Sequence, residues 1–312
     1  MRRLAVVHHR HAEWVSPLGE AEPRLDVRGW LPSDPLDDPW LAGAEGLFVW
    51  KLPPGLLARM PRLAWVQCAG AGVDHLLSGG EIPPGIPVTR ADGQFGFWMA
   101  RYVLGHLLDE VQRLAECREA QRQARWRGGL APEDLTGRVA LVVGFGRIGR
   151  PIGRALRSLG MEVHGFVRTP RPDGEFPLHA PGDLPRFLPG ARLLVLSAPL
   201  TDGTRGLVDG RLLASADGGL TLVNVARGDL VLVPDLLAAL DSGRLGSAVL
   251  DVFSTEPLPP DSPLWTHPRV RVTPHHSGPS TPRALVQDIL PNLRLFAEGL
   301  PVRDAVDRSR GY

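Results

Sequence analysis

The chain has 312 residues, 43% of them hydrophobic and 22% charged, which is an ordinary globular composition and long enough for two domains. A formal net charge of +1 gives no global attraction to nucleic acid or to an anionic membrane. Cys68 and Cys117 are too few for a disulfide framework or a zinc site. No apolar run reaches the roughly 20 residues of a membrane helix, and the N-terminal run is too short for a signal peptide. We therefore expect a cytoplasmic protein.

Short apolar runs in residues 1–98 predict buried strands, each followed by a turn or the start of a helix. They are LAVV at 4–7, GLFVW at 46–50 and LAWVQCAGAG at 63–72. The segment EPRLDVRGWLPSDPLDDP, at 22–39, is rich in Pro and Asp and predicts a loop. The histidines at positions 8, 9 and 11 lie at a strand end and in a loop, which is a poor three-ligand arrangement, and we expect no metal site.

The longest helical pattern covers residues 99–127 and ends at the glycine pair 128–129. One face of this predicted helix is apolar, formed by Val103, Leu104, Leu107, Leu108, Val111 and Leu114. Beyond that face the segment becomes charged. Two interpretations remain open, an arm that reaches a second subunit and a helix that links two domains.

Strand and helix patterns alternate through residues 138–275, which predicts a doubly wound parallel sheet. The predicted strands are RVALVVGF, EVHGFVR, RLLVLSAP, LTLVNVA, SAVLDVF and VRVTPH, mostly continuous apolar runs of the kind covered on both faces. A last helix at 281–300, with Pro291 as a kink, follows the completed sheet. It is therefore free to return to the first domain.

The stretch LVVGFGRIGRPIGRAL places Gly144, Gly146 and Gly149 in the G-x-G-x-x-G spacing between a strand and a helix. In a dinucleotide site the first glycine allows the tight turn, the second admits the pyrophosphate, and the third permits close helix packing. The helix N-terminus then offers N–H groups to the phosphates. This context predicts a nucleotide site.

Arg168 occupies the position at the end of the second strand, 24 positions after Gly144, where a carboxylate would read an NAD ribose. An arginine fork suits a 2′-phosphate, Thr169 adds a hydroxyl, and Arg171 is close in sequence. We expect NADP(H) to be preferred, with NAD(H) possible. The alternative is that Arg168 stacks on adenine and NAD is used.

Four further segments carry a resemblance to a known family: CAGAGVDHL at 68–76, NVARGDLV at 224–231, DVFSTEPLPPDSPLW at 251–265 and VTPHHSG at 272–278. Together with the glycine fingerprint, they resemble the D-isomer-specific 2-hydroxyacid dehydrogenase family over nearly the whole chain. The arginine after the second strand, the 251–265 segment, VWKLPPGLL and the AGAGVD turn are most similar to its glyoxylate/hydroxypyruvate reductase A branch.

The resemblance implies roles for particular residues. Arg227 would bind the 2-oxo and carboxylate groups of the substrate, His275 would protonate the carbonyl oxygen, and Glu256 would pair with His275. The implied substrate site also includes Trp50, Ala71 and the backbone N–H groups of Gly72 and Val73. The implied cofactor site includes Phe145, Arg147, Ile148, Ala198, Pro199, Thr204, Val225, Ala226 and Asp251. For Trp50 a core role, and for Asp251 a structural cap, stay open as alternatives.

The chemistry of the three residues agrees with these roles. Hydride transfer to a keto acid builds negative charge on the carbonyl oxygen, which requires a nearby cation and a proton donor. Arg227 and His275 each follow a predicted parallel strand, and ligands bind at the carboxyl ends of such strands. Arginine can engage carboxylate oxygens in a fixed geometry.

We therefore expect two Rossmann-like α/β domains with parallel sheets and a cleft between them. The substrate domain would be 1–98 plus 276–312, and the nucleotide domain 99–275 would be inserted in it. The expected activity is NADPH-dependent reduction of glyoxylate or hydroxypyruvate to the 2-hydroxy acid, in a homodimer. The alternatives are a NAD-linked dehydrogenase of a bulkier 2-hydroxy acid and a nucleotide-sensing binding protein with little turnover, like the dehydrogenase-derived corepressors.

Overall fold

The computed structural model describes residues 1–91 and 93–311, which form two compact units. The first unit comprises Met1–Phe95 and the segment from Pro279 onward, and the second is Gly96–Gly278. Each unit is built on a parallel sheet, and the second is inserted in the chain between the two segments of the first. The predicted fold class is confirmed.

The strands are β1 (Arg2–Val7), β2 (Leu25–Trp30), β3 (Gly46–Val49), β4 (Trp65–Cys68), β5 (Val88–Thr89), β6 (Val139–Val143), β7 (Glu162–Phe166), β8 (Leu178–His179), β9 (Ala191–Leu196), β10 (Leu220–Asn224), β11 (Leu245–Leu250) and β12 (Val270–Val272). The helices are α1 (His11–Ala21), α2 (Asp74–Leu77), α3 (Phe95–Val111), α4 (Leu114–Arg122), α5 (Gly149–Ser158), α6 (Leu184–Phe187), α7 (Gly210–Leu213), α8 (Val233–Asp241) and α9 (Pro282–Glu298). Short 3-10 turns lie at Leu41–Gly43, Leu57–Arg59, Pro181–Asp183, Gly228–Leu230 and Pro263–Trp265. In the described ranges, no helix has the length and apolar character needed to cross a membrane.

The sheet of the first unit has the order β2-β1-β3-β4-β5, and all of its pairs are parallel. Strand β1 is fully buried over its second half, and β3 and β4 are buried throughout. Helix α9 continues on both sides of Pro291 and packs Phe296 against Trp65 of β4, with ring centroids 5.0 Å apart. The apolar runs in this part of the sequence therefore form the centre of the sheet.

The predicted loop at 22–39 is wrong, because β2 lies within it. Strand β2 is at the edge of the sheet, and among the residues that the structure describes it pairs with β1 alone. Leu25 and Trp30, at its two ends, are buried, whereas Arg28 is exposed. An edge strand tolerates charged residues because one of its sides faces solvent, so its sequence lacks the apolar run of a central strand.

The sheet of the second unit has the order β12-β11-β10-β9-β6-β7-β8, again with parallel pairs. The chain leaves β6 in one direction through β7 and β8, and then returns to build β9 through β12 on the other side. The order therefore reverses between β6 and β9. This topological switch point is where open parallel sheets bind ligands, at the carboxyl ends of the strands.

The prediction of one helix across residues 99–127 is also wrong. The segment contains α3 and α4, separated by Arg113, whose backbone is left-handed with a φ of 55°. The Arg113 side chain donates to Glu116 in the first turn of α4 at 2.6 Å. On the predicted apolar face Val103, Leu107 and Val111 are buried and Leu104 and Leu108 are partly buried, but Leu114 beyond the break is 42% exposed. The break rotates the second helix away from the core.

Candidate active site

The three fingerprint glycines, at the end of β6, have different surroundings. Gly144 has a φ of +89°, and a Cβ there would lie 2.4 Å from the backbone nitrogen of Ala198. A Cβ at Gly149 would lie 2.1 Å from the Gly144 carbonyl oxygen. At Gly146 a Cβ would meet no atom within 4 Å. The first and third glycines thus permit tight packing, and the second leaves open the approach that a pyrophosphate needs.

The other predicted cofactor residues follow neighbouring strands at the same carboxyl edge. They are Phe145, Arg147 and Ile148 after β6, Arg168 and Thr169 after β7, Ala198, Pro199 and Thr204 after β9, Val225 and Ala226 after β10, and Asp251 after β11. Arg168 and Thr169 are exposed, whereas Val225 and Ala226 are buried. The Thr204 hydroxyl donates to the Pro199 carbonyl at 2.7 Å, so it also closes its own turn.

His275 and Glu256 form a hydrogen-bonded pair, with 2.8 Å between His275 Nδ1 and Glu256 Oε2. The other oxygen of Glu256 accepts from the Phe253 N–H at 2.9 Å. Burial acts to raise the pKa of Glu256, but the hydrogen bonds from His275 and Phe253 and the charge of Arg227 outweigh it. The pKa of Glu256 therefore lies below its ordinary value. An ionised Glu256 can orient the imidazole and stabilise its protonated form.

Asp251 organises the loop that carries His275. Its carboxylate is fully buried and accepts from the Thr273 hydroxyl at 2.6 Å and from the N–H groups of His276 and Ser277 at 3.0 and 2.9 Å. Its carbonyl accepts from the His275 N–H at 2.9 Å. These bonds hold His275 at a φ of 50°, a region in which histidine is enriched relative to most residues. Asp251 thus has a structural role, and its role toward cofactor stays a prediction.

Arg227 follows β10 in an extended conformation, and it is half-buried. Its Nη1 donates to the Ala226 carbonyl at 2.7 Å. Asn224 shapes this turn, because its side chain donates to the Arg227 carbonyl at 2.8 Å and accepts from the Ala226 N–H at 3.0 Å. Asn224 was not among the predicted site residues, although it is the first residue of the NVARG motif. Arg227 is close enough to Glu256 to lower the pKa of that carboxyl.

Tyr102 is a second residue that the sequence did not indicate. Its hydroxyl lies 2.6 Å from the Thr273 hydroxyl, and burial raises the pKa of the phenol. The phenol therefore remains protonated at physiological pH and continues the hydrogen-bond chain that starts at Asp251. It lies on α3, far in sequence from the loop it supports, and no local pattern distinguishes it.

Gly228 is expected to be intolerant of any side chain. A Cβ there would lie 2.0 Å from the Phe253 carbonyl carbon and 2.2 Å from the Ser254 nitrogen. Gly228→Ala would displace this backbone and, with it, the Phe253 N–H that holds Glu256. We expect turnover to fall about 100-fold and the free energy of unfolding to fall by about 1–3 kcal/mol, as measured by steady-state kinetics and thermal unfolding.

The matched control for this substitution is Gly182→Ala, since a Cβ at Gly182 would meet no atom within 4 Å. This variant should retain both activity and stability. Full activity of Gly228→Ala would show that the position of the 253–254 backbone does not determine that of Glu256.

The predicted substrate residues of the first unit gather at the carboxyl edge of its sheet. They are Trp50 after β3, and Ala71, Gly72 and Val73 after β4. The half-buried Trp50 ring lies against His75, with centroids 4.4 Å apart, and covers Gly70, where a Cβ would be 2.3 Å from the indole. Trp50 therefore lies directly beside the AGAG turn and also packs on the core of the first unit, and its role toward substrate stays a prediction.

Known proteins are similar to this chain over the regions that carry these residues. Residues 104–277 match the family model of the D-isomer specific 2-hydroxyacid dehydrogenase NAD binding domain. The glyoxylate/hydroxypyruvate reductase A of Serratia proteamaculans is 34% identical over 307 residues, covering 96% of each chain.

Two solved structures are similar over 100% of both chains. One is a D-isomer specific 2-hydroxyacid dehydrogenase from Xanthobacter autotrophicus Py2 in complex with NADPH and MES, at 36% identity and a TM-score of 0.89. The other is an NADPH-dependent glyoxylate/hydroxypyruvate reductase from Sinorhizobium meliloti in complex with NADP and sulfate, at 32% identity and a TM-score of 0.88. With the family model matching more than half of its length, this chain belongs to the D-isomer specific 2-hydroxyacid dehydrogenase family.

Proposed function

We propose that this protein reduces a small 2-oxo acid, glyoxylate or hydroxypyruvate, to the D-2-hydroxy acid with NADPH. The observation that carries the proposal is the 2.8 Å His275–Glu256 pair beside Arg227, in the unit that holds the glycine fingerprint. The relatives from Serratia and Sinorhizobium, which bear the name of this activity, support it.

In the proposed mechanism Arg227 binds the oxygens of the 2-oxo acid and stabilises the charge that develops on the carbonyl oxygen. His275 donates a proton to that oxygen from Nε2, because Nδ1 is held by Glu256. Ionised Glu256 stabilises the imidazolium before transfer. The reduced nicotinamide supplies the hydride when it is bound.

In the first unit, the N–H groups of Gly72 and Val73 would bind the substrate carboxylate beside Trp50. That unit would be the substrate domain and the second the nucleotide domain.

The direct test follows the near-ultraviolet absorbance of the reduced nicotinamide with purified protein and glyoxylate, and compares NADPH with NADH at equal concentration. We expect rapid oxidation of NADPH. If NADPH is oxidised only with bulkier 2-oxo acids, then one of these acids, and not glyoxylate or hydroxypyruvate, is the substrate. Nucleotide binding without turnover across the whole panel would favour a nucleotide-sensing binding protein.

The proposed preference for NADPH depends on Arg168, which is exposed just beyond the end of β7. Arg168→Asp would replace a phosphate partner with a charge that repels phosphate and accepts from ribose hydroxyls. We expect the ratio of NADPH to NADH affinity to fall by at least about 10-fold, since charged hydrogen bonds contribute about 1.5–3 kcal/mol. The measurement is the dissociation constant of each nucleotide by fluorescence titration.

Arg186→Asp makes the same charge change on a side chain that is 83% exposed in α6, and should leave the ratio unchanged. If Arg168→Asp also leaves it unchanged, Arg168 does not bind the 2′-phosphate and the stacking alternative gains support.

We also propose a homodimer formed through the α3–α4 region, in the cytoplasm. Three large apolar side chains are exposed there: Phe97 by 57%, Leu114 by 42% and Trp126 by 99%. Large apolar side chains exposed along one segment of the chain support the proposal that this segment meets another protein surface. The exposed thiol of Cys117, in α4, fits a reducing compartment. Sedimentation that shows only the monomer mass would contradict the dimer.

A further inference from the structure

The loop between β7 and β8 carries charges of both signs. We call residues 168–176 the nucleotide loop. Arg168 and Arg171 in it are the side chains that would meet a 2′-phosphate, yet Asp173 and Glu175 follow directly. Two carboxylates beside a phosphate site would weaken phosphate binding by repulsion. Their presence in this loop therefore points to another purpose.

Asp173 is held by the fingerprint helix α5. The Arg150 guanidinium engages both of its carboxylate oxygens, with 2.8 Å between Nη1 and Oδ1. Asp173 Oδ1 also accepts from the Phe176 N–H at 3.2 Å, within the loop itself. Only 8% of the Asp173 side chain is exposed. A two-point arginine–carboxylate contact fixes geometry as well as distance, so this pair ties the middle of the loop to the first turn of α5.

Glu175 makes a second connection to the same helix. Arg154 donates to both of its oxygens at 2.8 and 2.7 Å, and Arg157 donates to Oε1 at 2.8 Å and to the Glu175 carbonyl at 3.1 Å. The hydrogen bonds from Arg150 and from Arg154 lower the pKa of Asp173 and of Glu175, each to about 2. Both carboxylates therefore stay ionised near neutral pH.

An aromatic contact completes the attachment. The Phe176 ring meets Phe145 edge-on, with centroids 4.9 Å apart, and the Arg157 guanidinium lies 4.4 Å from the Phe176 ring centre. Phe145 is part of the glycine fingerprint, between Gly144 and Gly146. The far end of the nucleotide loop is thus packed on the turn that would hold the pyrophosphate. The loop and the fingerprint form one connected structure.

We propose that Asp173 and Glu175 are positioning residues for cofactor choice, which hold the nucleotide loop against α5 so that Arg168 and Arg171 face the 2′-phosphate. They also neutralise the arginines of α5, so that these do not offer a competing site for that phosphate. The inference rests on the proposed use of NADPH, and it assigns the discrimination between NADPH and NADH partly to two acidic residues.

Positioning and simple electrostatics predict opposite results for Asp173→Ala. Removal of a negative charge near the phosphate should strengthen NADPH binding if charge alone matters. If Asp173 positions the loop, NADPH binding should instead weaken about tenfold while NADH binding changes little. The measurement is the dissociation constant of each nucleotide for the full-length protein. Asp173→Glu, which can rebuild the pair with Arg150, should recover part of the loss.

Two further variants make the test specific. Arg150→Gln combined with Asp173→Ala should bind NADPH no more weakly than Asp173→Ala alone, because the two residues act as one pair. Asp183→Ala removes a more exposed acid that pairs with Arg186, and it should change neither constant. Thermal unfolding checks that the variants remain folded.

The outcomes separate this inference from the proposed function. A wild-type protein that binds NADPH and NADH equally would overturn both. A wild-type protein that prefers NADPH, with Asp173→Ala binding NADPH equally or more tightly, would overturn the positioning role and leave the cofactor proposal intact. If Asp173→Ala loses affinity for NADPH and for NADH in equal measure, the positioning role is also overturned.

Discussion

His275→Ala is expected to reduce turnover about 10³-fold with little change in the affinity for NADPH. The reason is that general acid catalysis by a positioned histidine contributes roughly 10²–10⁴-fold. In the proposed mechanism His275, which Glu256 holds at 2.8 Å, is the proton donor. Rapid-quench or steady-state kinetics would measure the loss, and nucleotide titration would measure the affinity. Because His275 has a φ of 50°, His275→Asn is a useful second variant, since asparagine also tolerates this region.

The neighbouring histidine is the matched control for this prediction. His276 is exposed, and its ring meets Tyr102 edge-on at 5.8 Å. Its contact with Asp251 is made by the backbone N–H, which a substitution retains. His276→Ala should therefore keep nearly full turnover. Activity that survives in both His275 variants but not in His276→Ala would reverse the assignment of the proton donor.

Arg227→Gln should lower kcat/KM about 10³-fold, an effect as large as the one expected for His275→Ala. The substitution removes the charge that would stabilise the developing oxyanion, and loss of one such donor typically costs 10²–10³-fold. It would also remove the proposed contact with the substrate carboxylate, so kcat should fall and KM should rise. Arg227→Lys retains the charge without the planar fork, so its kcat/KM should lie between that of Arg227→Gln and that of the wild-type protein.

A surface arginine provides the comparison for Arg227. Arg211 lies exposed in α7, and Arg211→Gln makes the same change in side chain and net charge. It should leave kcat/KM unaltered. If Arg227→Gln raises only KM, then Arg227 binds the ground state and contributes nothing specific to the transition state.

Much of the nucleotide unit was predictable because its sequence signals are local. Buried parallel strands are apolar over their whole length. The central strands β6, β7, β9, β10 and β11, and also the edge strand β12, therefore lie where the sequence indicated, within a few residues at their ends. The spacing of Gly144, Gly146 and Gly149 depends on backbone geometry within one turn, and the structure gives each glycine distinct surroundings. Edge strand β2 was missed because an edge lacks that apolar signal.

The break between α3 and α4 was hidden because the helical pattern alone continues past it. Residues 112–114 contain no Gly or Pro, and the break becomes visible only through the left-handed backbone of Arg113. Leu114, directly after the break, is exposed, although packing is the default expectation for large apolar residues.

By itself, the sequence determined the fold class and the glycine fingerprint, because these depend on local periodicity and on short motifs. The candidate roles of Arg227, Glu256 and His275 came from the resemblance to a known family. Only the tertiary structure decided which charged groups face each other. Arg150 meets Asp173 across 23 positions and Arg154 meets Glu175 across 21, two pairs that no motif indicated. Every arginine in the chain has the same side chain, so nothing local distinguishes the one that binds a given carboxylate. That choice is made when strands and helices far apart in sequence pack together and bring particular pairs within hydrogen-bond distance.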